Sequence, residues 1–515
     1  MGHQLSTDTY LCTKEIPLGA VREYSHVYTI RYTGEYGTKQ RPTRWEMIRR
    51  LERNIQSTLQ RYSPETPIKI KAYWDHLLLK TMRPVDEMLT HIPGIQFFAR
   101  AKVLPLAAPS ETYPFIADYF RPAVEGRTFG IRARIALKKK RAFFPQWQRR
   151  EAEVALGDAL YSISKGVNLT RPDVFCYVEV RDEGIFLFTR KTTGTGGMPV
   201  GFTGHSLMLF SGGIDSPVAA WMAYHSGIVL DYVYYDLGGN TQLEKARQIH
   251  QLLTHRYGGA HAPALRVVDF TPIIAALRHQ PDRYQNLLLK VFFYKVGESI
   301  LQQIPPAIGM VTGESMGQVS TQTIHNLTLL NRFVNVPIWR PLLMMPKSEI
   351  IERARHIGTW DMAYTGKEFC ALASRHVATR THPNKITELL HQMPVEELVA
   401  EAVEGATTGV APSSPSVDAP NDKKWVAIDL RNSPHPPVSF ARSIEVRHIP
   451  FNQAWNEFLS WDPQQSYLLF CETGQQSALL ARFMKEQGFQ VRNIPGGAAA
   501  AADFIRTLFD VKASI

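Results

Sequence analysis

Leu207-Met208-Leu209-Phe210-Ser211-Gly212-Gly213-Ile214-Asp215-Ser216, continuing through residues 217–224, is the stretch on which the reading of this chain turns. Residues 206–210 form a mostly apolar run of strand length, and 217–224 reads as a helix opened by Pro217. Between them, two glycines let the backbone approach a ligand closely, and the helix start aims its unpaired N–H groups at the same point. Ser211 and Ser216 add hydroxyl donors, and Asp215 is placed to help hold magnesium. The stretch contains neither G-x-x-x-x-G-K nor G-x-G-x-x-G, so it is neither a Walker loop nor a dinucleotide fingerprint.

Outward from this loop, strand and helix patterns alternate from 192 to about 358, the signature of a doubly wound parallel sheet. Upstream, residues 26–32 alternate as a strand, and Trp45, Ile48, Leu51, Ile55 and Leu59 make one helical stripe over 43–61. A further strand at 68–73 completes a β-α-β opening, read as a small α+β domain over 1–80. Residues 81–191 read as a second domain: a helix from 84, a strand at 95–98, alternation over 128–137, a helix over 150–164 and a hairpin around Arg181-Asp182-Glu183. Residues 399–424 have no Leu, Ile or aromatic residue and are rich in Ala, Gly, Ser and Pro. They read as a flexible linker of roughly 28 Å average reach. A last α/β unit fills 425–515.

At 515 residues, several domains are expected, each with its own core. With 44% hydrophobic and 20% charged residues the composition is that of a globular protein, and no window of 18 consecutive apolar residues would span a membrane. Four scattered cysteines, Cys12, Cys176, Cys370 and Cys471, form no C-x-x-C pair. Together with a start that lacks a signal peptide's apolar core, they point to a reducing cytoplasm and to no tightly bound metal.

The net charge of +11 resides wholly in residues 1–200, which hold 31 basic against 20 acidic groups. Residues 121–150 carry ten basic groups opposed only by Glu125, with Phe129, Phe143, Phe144 and Trp147 interleaved. That density suits a nucleic-acid backbone, and the candidate contacts are Arg132, Arg134, Lys138, Lys139, Lys140, Arg141, Arg149 and Arg150. A solvated basic face is the alternative.

Cys471 ends a short strand, Leu468-Leu469-Phe470, and opens the loop Cys471-Glu472-Thr473-Gly474-Gln475-Gln476-Ser477 before a helix over 478–486. A thiol there meets backbone N–H groups and a helix N-terminus, both of which favour the thiolate. Cys370 follows Gly366-Lys367-Glu368-Phe369 in a polar stretch and reads either as functional or as a surface thiol. Cys12 and Cys176 read as bystanders.

S-G-G-x-D-S resembles the loop of ATP pyrophosphatases, which split ATP into AMP and pyrophosphate while adenylating a substrate oxygen. C-x-x-G-x-x-S, with Ile428-Asp429-Leu430-Arg431 as an opening strand, resembles rhodanese domains, although Gln476 replaces their common arginine. Gly196-Gly197-Met198-Pro199-Val200-Gly201, the string Val311-Thr312-Gly313-Glu314-Ser315-Met316-Gly317-Gln318-Val319-Ser320-Thr321-Gln322, and Arg340-Pro341-Leu342 extend the likeness. Residues 81–191, with His91-Ile92-Pro93-Gly94-Ile95 and Arg171-Pro172-Asp173-Val174, resemble a THUMP RNA-binding domain. Together these pieces resemble the ThiI family of tRNA sulfurtransferases.

The resemblance implies a multidomain α+β and α/β chain: ferredoxin-like over 1–80, THUMP over 81–191, a doubly wound ATP-pyrophosphatase domain over 192–398, the linker over 399–424 and a rhodanese-like domain over 425–515. ATP contacts are implied at Leu209, Phe210, Ser211, Gly212, Gly213, Ser216, Lys290, Gly313 and Gln322, with Asp215 catalytic and ATP and Mg2+ as cofactors. The implied chemistry loads sulfur from a cysteine desulfurase onto Cys471, adenylates uridine O4 at tRNA position 8, and displaces AMP with persulfide sulfur, making 4-thiouridine. A Cys370–Cys471 disulfide then awaits a reductant. Sulfur donation to a carrier protein of thiamine thiazole synthesis is a second implied role. The competing reading is an adenylating enzyme on the same loop that acts on a small molecule.

Overall fold

The computed structural model describes residues 24–237, 240–261, 263–363, 378–408, 425–433, 444–472, 474–494 and 497–501. The chain divides into two compact units, Met1–Met198 and Pro199–Ile515. Cys12 and Cys370 lie outside the described residues.

In the first unit, β1 (His26–Tyr32), α1 (Arg41–Tyr62), β2 (Ile68–Ala72), β3 (Leu77–Thr81), α2 (Asp86–His91) and β4 (Ile95–Leu104) follow a βαββαβ order. Their strands pair antiparallel as β2-β3-β1-β4, the ferredoxin-like arrangement. Ile48, Leu51, Ile55 and Leu59 of α1 are buried as their spacing requires, but Met47 is buried where Trp45 was expected; Trp45 packs edge-on against Trp74 instead.

Next come α3 (Pro109–Val124), β5 (Phe129–Ala136), α4 (Arg149–Tyr161), β6 (Val174–Arg181), β7 (Gly184–Phe188) and β8 (Thr192–Thr193). Here β5 runs parallel to β6, and β6 and β7 form the expected hairpin. The border drawn at 80 is corrected, because β4 completes the ferredoxin-like half and also joins the second half. One edge of β4 pairs with β1 and the other with β7 and β8, so one sheet, β2-β3-β1-β4-β7-β6-β5, runs through both halves. A ten-residue strand is long enough to serve several neighbours. Buried Arg31 of β1 reinforces the seam, donating to Glu179 of β6 at 2.8 Å and to Asp75 at 3.0 Å.

The second unit holds two parallel sheets. The first comprises β9 (Gly204–Phe210), α5 (Asp215–His225), β10 (Ile228–Asp236), α6 (Asn240–Tyr257), β11 (Leu265–Asp269), α7 (Thr271–Arg278), α8 (Asp282–Gln302), β12 (Met310–Thr312), α9 (Ile324–Leu330) and β13 (Ile338–Trp339). It continues with α10 (Lys347–His356), α11 (Trp360–Ala363), α12 (Pro383–His391), α13 (Val395–Glu404) and β14 (Thr407–Thr408). Strand order is β13-β12-β9-β10-β11-β14, parallel except for β14. The chain winds from β9 through β10 to β11, then returns to the other side of β9 with β12. The loop after β9 therefore stands at the topological switch point, where such sheets bind ligands.

The second parallel sheet follows: β15 (Trp425–Asp429), β16 (Glu445–His448), α14 (Phe451–Glu457), β17 (Ser466–Phe470), α15 (Gln475–Glu486) and β18 (Gln490–Asn493), in the order β16-β15-β17-β18. The linker drawn over 399–424 begins too early. Residues up to 404 continue α13, and Thr407–Thr408 pairs with β11. Leu398, Val399, Ala402 and Val403 are buried on one face of α13, so past Leu398 small Val and Ala residues at helical spacing carry the buried face on into the stretch drawn as linker. Residues 409–424 lie outside the described residues. Among the described residues, no helix is long and apolar enough to cross a membrane.

Candidate active site

The loop after β9 is held curled by its own serines. Ser211 N–H donates to Ser216 Oγ at 3.2 Å, the two hydroxyls lie 3.1 Å apart, and Gly213 N–H donates to Ser211 Oγ at 3.3 Å. Both hydroxyls thus brace the turn. Gly212 takes φ +71°, and a Cβ there would lie 2.9 Å from Ala246 Cβ on α6, so only glycine fits. No side-chain hydrogen bond caps α5, which leaves its first N–H groups directed at the cradle. Gly313, just past β12, approaches so closely that a Cβ would sit 2.7 Å from Ser216 N.

Phe210 sends its ring into the core against Tyr232, so only its backbone faces the loop, while Leu209 is half-buried. Lys290 Nζ is engaged by Glu314 Oε1 at 2.7 Å. Arg340 Nε donates to Glu314 Oε2 at 2.8 Å, and Tyr294 and Thr312 donate to the same oxygen. Burial alone would raise the Glu314 pKa, but the Lys290 and Arg340 charges outweigh it and hold the carboxyl down at about 2. Asp215 Oδ1 meets Lys347 Nζ at 2.6 Å, and that ammonium also donates to Gln318 Oε1 at 2.9 Å. Gln322 Oε1 and Gln318 Nε2 are buried without a protein hydrogen-bond partner, polar atoms that a bound ligand would satisfy. Glycines whose Cβ would collide, an uncapped helix start, a lysine and orphaned amide atoms together fit a nucleoside triphosphate.

Cys471 follows β17 and is 2% exposed. Its Sγ accepts from Gly474 N–H at 3.2 Å and lies 3.5 Å from Ser477 Oγ. Gly474, at φ +85°, is the N-cap of α15, which turns its N–H back onto the sulfur. Gly497 closes the loop from the far side: a Cβ there would lie 2.6 Å from Cys471 O, and Ala498 N–H donates to that carbonyl at 2.8 Å. Cys176 is buried in β6, and burial pushes its thiol up to about 12, which leaves it inert. Arg482 of α15 donates to Asp269 at the end of β11, and Arg278 of α7 donates to Asn452 at 2.9 Å while covering the Phe451 and Trp455 rings. These contacts join the two parallel sheets of the second unit.

In the first unit, Asp182 accepts three consecutive backbone N–H groups, from Lys138 at 3.1 Å, Lys139 at 3.0 Å and Lys140 at 3.1 Å. The hairpin turn thereby shapes the basic loop and leaves the three ammonium groups exposed. Other candidates are partly committed elsewhere: Arg134 to Asp75 at 2.9 Å, Arg141 to Trp147 O at 2.6 Å, Arg149 to Glu153 at 3.0 Å, and half-buried Arg132 to Leu169 O. Arg150 is exposed. A cavity of about 550 Å³ opens beside Arg132 and Arg134, lined also by Arg31, Phe97, Tyr177 and Lys191. Lys191 Nζ stands 3.9 Å over the Tyr177 ring.

A family model described as thiamine biosynthesis protein (ThiI) matches residues 201–395. The tRNA sulfurtransferase of Desulfurococcus amylolyticus is 30% identical over 484 residues, spanning 92% of this chain and 97% of that relative. The chain belongs to the ThiI family of tRNA sulfurtransferases. A second relative in the family, the tRNA sulfurtransferase of Aeromonas hydrophila, is 29% identical over 90% of this chain and 98% of its own. The crystal structure of a 4-thiouridine synthetase–RNA complex with bound ATP superposes with a TM-score of 0.66 at 29% identity, covering 75% of this chain and 99% of that one. The ThiI model's residues include the loop, Lys290, Glu314, Arg340 and Lys347, but not Cys471. Lys347 and Tyr294 went unnoticed in the sequence, because a lysine after Pro346 and a tyrosine within an apolar helix carry no pattern of their own.

Proposed function

We propose that this chain is an ATP-dependent tRNA sulfurtransferase that converts uridine at position 8 to 4-thiouridine. The observation that carries the reading is the cradle at the switch point. The uncapped start of α5, Gly212, Gly213 and Gly313 surround one space that Lys347 borders through Asp215. Superposition on a relative solved with RNA and ATP supports it.

A uridine C4 oxygen is a poor leaving group. In the proposed first step O4 attacks the α-phosphorus of ATP and pyrophosphate departs, with its charge met by the α5 N–H groups, the curled loop and Lys347. Asp215 is the carboxylate that would hold magnesium, which neutralises phosphate charge when bound. Buried Glu314, pinned by Lys290, Arg340 and Tyr294, keeps the strand end behind the loop rigid. Gln322 and Gln318 supply the amide atoms for the nucleotide.

Cys471 receives sulfur from a cysteine desulfurase as a persulfide; Gly474 N–H and Ser477 stabilise its anionic form. The terminal sulfur attacks C4 and AMP leaves with the former O4. Cys370 thiolate then attacks Cys471 Sγ, which breaks the S–S bond to the nucleobase, leaves sulfur on C4 and forms a Cys370–Cys471 disulfide. Alternatively, Cys370 attacks the persulfide first and releases sulfide as the nucleophile. Either way an external dithiol returns both cysteines to thiols. The exposed Lys138–140 loop and the cavity beside Arg132 provide cations and rings for tRNA phosphates and bases. Delivery of the same persulfide sulfur to a carrier protein of thiamine synthesis is the second proposed role.

The test is incorporation of labelled sulfur into unmodified tRNA with ATP, magnesium, a cysteine desulfurase and labelled cysteine, for wild type, Cys471→Ala and Asp215→Ala. Label in 4-thiouridine that requires both residues supports the reading. Label that reaches Cys471 but never tRNA overturns it.

A further inference from the structure

The amino-terminal ends of β9 and β10 lie at the opposite end of the sheet from the nucleotide loop, and they hold a side-chain cluster that the proposed reaction does not use. His205 is the second residue of β9, Asp231 the fourth of β10, and His261 comes from the turn before β11. One ligand atom from each lies within 4.8 Å of the other two. Asp231 Oδ2 is 2.7 Å from His205 Nε2, and Oδ1 is 3.6 Å from His261 Nε2. The two imidazoles meet edge to face at 5.4 Å. His205 and Asp231 are each 14% exposed and His261 is 37% exposed, so two of the three ligands are largely withdrawn from solvent.

Two features call for a cation here. His261 Nε2 is shielded from water and meets Asp231 Oδ1 only at 3.6 Å, an ion-pair contact longer than an ordinary hydrogen bond. Two imidazoles with one carboxylate also form a borderline donor set that suits zinc, with a fourth position left for water. Zinc–nitrogen and zinc–oxygen bonds of about 2.0–2.1 Å in a tetrahedron put donor atoms roughly 3.3 Å apart. The three donor atoms, one from each side chain, now lie within 4.8 Å of one another, so side-chain rotation would have to draw them in towards that spacing around an ion.

We propose that His205, Asp231 and His261 form a binding site for a divalent transition metal of the zinc type, which ties β9 and β10 to the turn before β11. The three ligands come from three neighbouring segments of the sheet that carries the loop, so the bound ion stabilises that sheet without entering its chemistry.

The experiment uses the full chain, stripped with a chelator and titrated with cobalt(II) and then zinc. Expected are one equivalent of cobalt with nitrogen–oxygen d–d bands and no thiolate charge-transfer band, displacement by zinc, and a zinc-dependent rise in Tm. In His261→Gln, whose residue lies in a turn, and in His205→Gln, affinity falls by roughly tenfold or more while sulfur transfer in the absence of added zinc is unchanged. Cobalt binding that is unaltered in both variants, or no binding with nitrogen–oxygen character in wild type, overturns the proposal and leaves a triad that holds only protons.

Discussion

Lys347 Nζ stands 2.6 Å from Asp215 Oδ1, joining the first residue of α10 to the first residue of α5 at the mouth of the nucleotide loop. Lys347 is 40% exposed, so the pair itself contributes little to stability, about 0–1 kcal/mol. In the proposed reaction it places one positive charge where pyrophosphate would depart. Lys347→Met is expected to lower the ATP-dependent rate by roughly 10²-fold or more while Tm changes little. Single-turnover adenylation measured beside thermal unfolding separates the two, and an unchanged rate would remove Lys347 from the machinery.

Gly313 allows no side chain. Because a Cβ would sit 2.7 Å from Ser216 N, Gly313→Ala wedges the end of β12 away from the start of α5. ATP affinity is expected to fall at least tenfold, whereas Gly317→Ala, at φ +76° but with open space around its Cβ, costs only about 1 kcal/mol of backbone strain. Nucleotide titration of both variants checks the contrast.

Glu314 is the buried anion facing Lys290 and Arg340, so Glu314→Gln leaves those charges uncompensated at a cost of about 3–5 kcal/mol. The same carboxylate gives acid sensitivity. Its folded pKa, about 2, lies below the usual carboxylate value, so its stabilisation is complete above the unfolded pKa and drains away as pH falls from there towards 2. Denaturant unfolding between pH 7 and pH 3 should show a steeper acid limb in wild type than in Glu314→Gln.

Cys471→Ser keeps the loop's hydrogen bonds in outline yet removes the proposed sulfur carrier, so thiolation is expected to vanish with Tm preserved. Gly474→Ala keeps the thiol but forces a φ of +85° on a side chain, at a strain of about 1–2 kcal/mol. Slower alkylation of Cys471 in that variant would show that the Gly474 N–H activates the thiol, and an unchanged rate would show that it does not.

Asp182 orders the basic loop through three backbone N–H groups. Asp182→Ala removes one negative charge, which on charge alone should strengthen RNA binding. If the loop's shape matters more, binding weakens severalfold. Neutralising Lys138, Lys139 and Lys140 together should reduce the salt dependence, with a log–log slope lower by about 0.7–0.9 per lost phosphate contact. Filter binding of tRNA over a salt series reads both effects.

Local pattern was enough to read the strand-turn-helix at 206–224, the helix over 43–61, the hairpin at 181–183 and the loop of Cys471, because each depends on neighbours within one or two turns of chain. What the sequence by itself determined was the kind of chemistry: glycines and serines where a strand meets a helix, a cysteine in the same setting, and positive charge gathered in the first 200 residues. Tertiary structure alone decided which distant residues meet these motifs. Lys347 reaches Asp215 across 132 positions, and Gly313 reaches Ser216 only because β12 returns beside β9. It also joined the first two expected domains into one sheet through β4 and kept residues up to 404 helical. Burial and pairing between remote segments leave no periodic trace in either partner's sequence, since each contact depends on the path of the chain between them.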